Sequence, residues 1–133
     1  MILKNNSVFS FSSTLICVKI NLNINNFGST ILLKILHGTN QNNEYSFNSN
    51  DKVEIKLGRL KTNFIDIDFN DESTSRLQTT ILYENNNWYI VDGDGNKKSL
   101  NGTWFFADEY ITINEGMIFR AGSTTFKSHL FTP

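Results

Sequence analysis

Gly58-Arg59, Ser75-Arg76-Leu77-Gln78 and Asn101-Gly102-Thr103 are the residues of this 133-residue chain whose types and spacing could do chemistry. Each group follows or precedes a run that alternates like a β-strand, which places it on a loop at one end of an all-β domain. Arginine's planar fork matches the oxygens of a phosphate. A hydroxyl adds a directional donor, and an asparagine amide both donates to and accepts from a peptide backbone. A phosphorylated side chain carries about −1.5 to −2 charge at neutral pH and three acceptor oxygens. Two arginines, a serine and an asparagine on neighbouring loops therefore suit the reading of such an anion. Three charge-assisted bonds of roughly 1.5–3 kcal/mol each would support micromolar binding, provided the loops are already held in place. Taken singly the same residues are ordinary. Arg59 and Arg76 would be surface ion pairs, Ser75 a turn cap, and Asn101-Gly102 a hairpin turn.

The elements that must position these loops have a period of two. Val18, Ile20, Leu22 and Ile24 alternate with Lys19, Asn21, Asn23 and Asn25, which predicts a half-buried strand. Residues 30–36, 45–47, 53–57, 64–69, 80–83, 88–91, 104–106, 110–113, 117–120 and 125–130 are further strand candidates. Asn48-Ser49-Asn50-Asp51 and Glu84-Asn85-Asn86-Asn87 read as turns. No stretch holds a 3.6-residue period with caps at both ends, and no internal repeat is legible. The pattern predicts an all-β sandwich of mostly antiparallel strands. A soft division near Phe27-Gly28-Ser29 separates an N-terminal β extension (1–29) with at least one strand from a sandwich domain (30–133).

Composition narrows the function classes. Hydrophobic residues are 39% and aromatics 13%, too many for a disordered chain. A net charge of −1 argues against nucleic acid as a partner. The lone Cys17 allows no internal disulfide, which points to a cytoplasmic or nuclear setting. No apolar run reaches the ~18 residues of a membrane helix, so no membrane role is expected. Val8-Phe9-Ser10-Phe11 is broken by serines and lacks a small-x-small cleavage site, which argues against a signal peptide. The Asn-rich clusters are short and fall between apolar segments, which fits compositional bias. Asp92-Gly93-Asp94-Gly95-Asn96 begins like a calcium loop, but Lys97 and Thr103 stand where Gly and Glu are needed. His37, His129 and Cys17 have no zinc spacing, and no nucleophile motif surrounds a serine or the cysteine. Neither metal, cofactor nor catalysis is expected.

Leu57-Gly58-Arg59, Ser75-Arg76-Leu77-Gln78, Trp88-Tyr89-Ile90-Val91-Asp92 and Ser99-Leu100-Asn101-Gly102-Thr103-Trp104, in that order, resemble the forkhead-associated (FHA) domain. Ile65-Asp66-Ile67 and Ile111-Thr112-Ile113-Asn114-Glu115-Gly116 extend the likeness to about residues 30–130. The resemblance implies a β-sandwich whose apical loops bind phosphothreonine peptides. It implies that Arg59 contacts the phosphate, Ser75 donates its hydroxyl, Arg76 offers a second cation and Asn101 holds the peptide backbone. Gly58 and Gly102 would shape the turns beside Thr103. Two positions depart from the family pattern. Gln78 stands where many members have a loop-buttressing His, and should keep that buttress in altered form. Leu100 stands where a Ser or Thr often helps bind phosphate; Ser99 or Lys98 are the candidates to compensate.

The reading that follows is a non-catalytic interaction module for phosphothreonine-containing proteins. The alternative is a structural subunit of a large assembly, such as a cytoskeletal or ciliary one, that uses the same sandwich as a fixed docking block. Residues 18–24 would then pair with a sheet edge or a partner chain.

Overall fold

The computed structural model describes residues 1–24, 27–60, 62–107 and 109–132. Its strands are β1 (Val8–Phe11), β2 (Thr14–Leu22), β3 (Ser29–His37), β4 (Glu44–Asn48), β5 (Glu54–Gly58), β6 (Ile67–Asp68), β7 (Thr79–Glu84), β8 (Asn87–Asp92), β9 (Trp104–Phe105), β10 (Ile118–Ala121) and β11 (Thr124–Lys127). One sheet has the order β4-β3-β2-β1-β9, all antiparallel. The other has the order β6-β5-β7-β8 and is antiparallel except for the β5–β6 pair. A β10–β11 hairpin stands apart from both. The chain is an all-β sandwich, as the alternation predicted.

The inward residues of the alternating runs make the core. Ile31, Leu33 and Ile35 of β3 meet Phe9 and Phe11 of β1, Ile16 and Val18 of β2, and Ile55 and Leu57 of β5 in one cluster, each without exposed surface. Burying each such side chain contributes about 1.5–3 kcal/mol. Trp88 joins this core and donates its indole N–H to Ser29 Oγ at 3.1 Å, so its one polar atom is satisfied. Asn85 and Asn86 take φ of 50° and 65° between β7 and β8, the left-handed pair that a two-residue hairpin turn requires.

The N-terminal segment, expected as an extension, supplies two strands of the first sheet. Residues 8–11, not foreseen as a strand, form β1 because Phe9 and Phe11 both point into the core. Ahead of them, Leu3 donates its amide to the Trp88 carbonyl at 2.8 Å, and the Ile90 amide donates to Met1 at 3.0 Å, covering the β8 edge. Asn25, part of the expected alternation, lies outside the described residues. The strand foreseen at 64–69 shrinks to Ile67–Asp68. Asp66 explains this: its carboxylate accepts the Lys56 amide at 2.8 Å and pairs with Lys52 at 2.6 Å, so a side chain takes a ladder position. Residues 110–113, also foreseen as a strand, form none and are exposed.

Candidate functional site

The polar loops gather where β5 ends, β7 begins and β8 ends. Gly58 closes β5 with its backbone pressed against the Ser75–Arg76 loop: a Cβ built there would overlap the Arg76 carbonyl and meet Ile65 Cδ1 at 3.1 Å. The absent side chain lets Arg59 donate its amide to the Ser75 carbonyl at 3.0 Å. Arg59 Nε also donates to the Thr74 carbonyl at 3.0 Å, which aims the guanidinium along that loop. Among the described residues neither Arg59 nor Arg76 has a carboxylate partner. Two cations from separate stretches of chain are thus available at one end of the sandwich.

Gln78 binds the loops to one another. It has no exposed surface, and all four of its polar groups are used. Its side-chain oxygen accepts the Ser75 amide at 2.9 Å, and its Nε2 donates to the Gly102 carbonyl at 3.0 Å. Its backbone amide donates to Leu57 O, and its carbonyl accepts the Gly93 amide. The next two residues continue the attachment. Thr79 Oγ1 lies 2.8 Å from Thr103 Oγ1, and Thr80 donates to the Gly93 carbonyl at 2.6 Å. Both threonines are buried, so each bond is made away from water and each lost partner would be costly.

The Asn101 loop is drawn in from the other side. The Leu100 amide donates to Ser75 Oγ at 2.9 Å, and Asn101 Nδ2 donates to the Ser73 carbonyl at 3.0 Å. Ser75 therefore uses its oxygen as an acceptor and keeps its hydroxyl proton for a ligand. Asn101 keeps its side-chain oxygen and a second amide hydrogen. Gly102 has φ of +82°, and the Trp104 indole donates to Asn101 O at 3.1 Å, which sets the turn.

Asp92, a residue sequence reasoning missed, is the hub of this loop. Its carboxylate accepts the Ser99 amide at 2.9 Å, the Ser99 hydroxyl at 2.6 Å and the Thr103 hydroxyl at 2.8 Å. Ser99 in turn accepts the Gly102 amide at 2.9 Å. The Ser99 hydroxyl is consumed inside the loop and cannot stand in for the donor that Leu100 lacks. Leu100 itself is 86% exposed and apolar, while Lys98 is exposed beside it. A Ser at 99 behind an Asp closing a strand was the available signal for this staple.

Asp71 is the second missed residue. The Ser73 hydroxyl and amide, with the Ser13 hydroxyl, hold its carboxyl below the usual range. Ser13 reaches it at 2.9 Å from the β1–β2 turn, so the N-terminal hairpin steadies the loop that carries Ser73, Thr74 and Ser75. Asp94 is lowered by the amides of Lys97 and Asn96, a tight acidic turn. Among the described residues no cluster of His, Cys, Asp and Glu could hold a metal, and no helix is long and apolar enough to cross a membrane.

A model of the FHA domain matches residues 55–122, just over half of the chain. The chain belongs to the FHA domain family. No curated protein and no solved structure matches it. FHA domains are non-catalytic protein-interaction modules that in general bind phosphothreonine. In this FHA domain, Arg59, Ser75, Arg76 and Asn101 come to one end of the sandwich, with Gly58, Gln78, Gly102 and Thr103 behind them. Gln78 carries the buttress through its two amide ends, as a histidine does through two ring nitrogens. The matched segment also runs through all of β10, a strand that pairs only with β11 here.

Proposed function

We propose that this FHA domain binds phosphothreonine-containing proteins through Arg59, Ser75, Arg76 and Asn101. The observation that carries the reading is the single hydrogen-bonded frame, centred on Gln78 and Ser75, that joins three loops and leaves donors unspent at its surface. Arg59 supplies a fork held by Thr74, Ser75 a free hydroxyl proton, and Arg76 an exposed second cation. Asn101 offers one donor and one acceptor to the peptide backbone. The frame is assembled before the ligand arrives, so little ordering entropy is spent on binding.

Calorimetry with matched phosphorylated and unphosphorylated threonine peptides tests this. The phosphorylated peptide should bind in the micromolar range and its unphosphorylated twin should not. Arg59→Ala should abolish binding while circular dichroism keeps its β signature. Failure of the parent protein to bind a degenerate phosphothreonine library would end the reading. Leu100 favours a second one, in which the sandwich serves a large assembly, cytoskeletal among the candidates, as a constitutive block with a weakened phosphate site. Phosphate-independent binding that survives Arg59→Ala would select it.

A further inference from the structure

The two ends of the chain fold into the same object. Adding 110 to a residue number carries the N-terminal hairpin onto the C-terminal one. β1 (Val8–Phe11) becomes β10 (Ile118–Ala121), and the closing pairs Phe11–Thr14 and Ala121–Thr124 correspond. The left-handed turn residues correspond too: Asn6 (φ 72°) with Gly116 (75°), and Ser12 (51°) with Gly122 (61°).

The bonds around the hairpins also repeat. Asn6 donates to Val18 O at 2.8 Å, and Gly116 to Ser128 O at 3.0 Å. Val18 donates to Ser7 O at 2.8 Å, and Ser128 to Met117 O at 2.8 Å. The Ile20 amide reaches the Asn5 side chain at 3.0 Å, and the Leu130 amide reaches the Glu115 side chain at 2.5 Å. Only Phe9/Phe119, Ser13/Ser123 and Thr14/Thr124 are identical between residues 1–20 and 111–130, so the repeat, not foreseen from the sequence, resides in geometry.

Their surroundings differ completely. The N-terminal hairpin fills the gap between β3 and β9, pairing with both. Phe9 and Ile16 there have no exposed surface, whereas their counterparts Phe119 and Phe126 are 41% and 44% exposed and stack only on each other. Such an uncovered apolar face marks a docking element.

We propose that the gap between β3 and β9 is a binding site for a β-hairpin, and that residues 118–130 of the same chain are its second ligand, entering when the N-terminal hairpin leaves. Three observations favour the chain's own hairpin. Arg120 already lies over the Trp104 ring of β9 at 4.5 Å, and its counterpart Ser10 is the residue paired with Trp104 in the filled gap. Residues 106–117 join β9 to β10, a span of roughly 40 Å when extended, far more than one strand spacing. The family match includes β10 but not β1 or β2. The N-terminal hairpin holds the site here because Phe11 and Val18 fill it where the second ligand has Ala121 and Ser128. Phe11 meets Phe69 edge-on at 5.1 Å, a contact alanine cannot make.

Register gives the test, which does not depend on phosphopeptide binding. Cys17 pairs with Lys34 across β2 and β3, and its counterpart is Lys127. The full-length chain carrying Cys17→Ser, Lys34→Cys and Lys127→Cys is oxidised with and without Phe11→Ala, which weakens the first ligand. An intrachain disulfide, seen as a faster-migrating monomer on a non-reducing gel, should form at least roughly tenfold more readily with Phe11→Ala. Circular dichroism checks that the fold persists; Val18→Ser replaces Phe11→Ala should that variant unfold. A cysteine at His129, out of register, should not cross-link to position 34. Equal cross-linking from 129 would reveal random collision and overturn the proposal. So would disulfides only between copies, which would assign the hairpin to a second molecule, or no cross-link in a folded variant.

Discussion

Gly58 and Arg76 meet through backbone alone, the glycine Cα facing the arginine's carbonyl oxygen with no room for a methyl group between them. This approach brings β5 against the loop carrying the second arginine, and the Arg59–Ser75 backbone bond depends on it. Gly58→Ala should therefore push the loop away and destabilise the fold by about 1–3 kcal/mol, as overpacking does. Chemical denaturation would measure the loss, and phosphopeptide affinity should fall with it. An unchanged denaturation midpoint would mean the loop yields freely.

Gln78→Leu keeps much of the volume but strands the Ser75 amide and the Gly102 carbonyl. Each buried group left unpaired costs about 1–3 kcal/mol. The variant should be less stable by that order or more, with increased amide exchange at Ser75. Gln78→His, offering a donor and an acceptor on one ring, should recover part of the loss. If Leu and His behave alike, hydrogen bonding is not what position 78 provides.

Leu100→Ser places a hydroxyl donor beside the Ser75 hydroxyl. Because Leu100 is 86% exposed, stability should change by no more than about 0.5 kcal/mol. Affinity for a phosphothreonine peptide should rise by roughly five- to tenfold, the worth of one added charge-assisted bond. Calorimetry showing no gain would indicate that position 100 does not face the phosphate.

Acid should loosen the Ser73–Ser75 loop through Asp71. Its folded pKa lies below the unfolded value of 3.8 because the Ser73 hydroxyl, the Ser73 amide and Ser13 favour the carboxylate. The stability this contributes is present above 3.8 and is lost as pH falls through the lower folded value. Asp71→Asn should therefore flatten the pH dependence of stability below about pH 4, read by thermal melts across that range. Peptide binding should weaken earlier, below about pH 6, as the phosphate takes up its proton. A variant and parent with superimposable acid melts would rule out this role for Asp71.

Much of this molecule was legible in its residues. β3, β7 and β8 were visible because buried and exposed positions alternate along them, and the Asn85-Asn86 turn because few residues accept two successive left-handed conformations. The loop motifs were visible as Gly58-Arg59, Ser75-Arg76 and Asn101-Gly102. Less visible was the outcome at polar residues with several possible partners. Ser99 was a candidate phosphate donor until Asp92 claimed its hydroxyl. Asp66 ended a strand by bonding the Lys56 amide, a choice no local pattern distinguishes from an exposed aspartate.

The chain on its own specified a two-layer β core and the cationic loops at its tip, because period-two burial and glycine-dependent turns are local properties. Tertiary structure alone decided which hairpin closes the first sheet. Residues 8–20 and 118–130 share geometry, turns and hydrogen bonds, so neither local propensity nor pattern separates them. The difference arises only inside the gap, where Phe11 and Val18 meet the opposing layer and Ala121 and Ser128 would leave it underfilled.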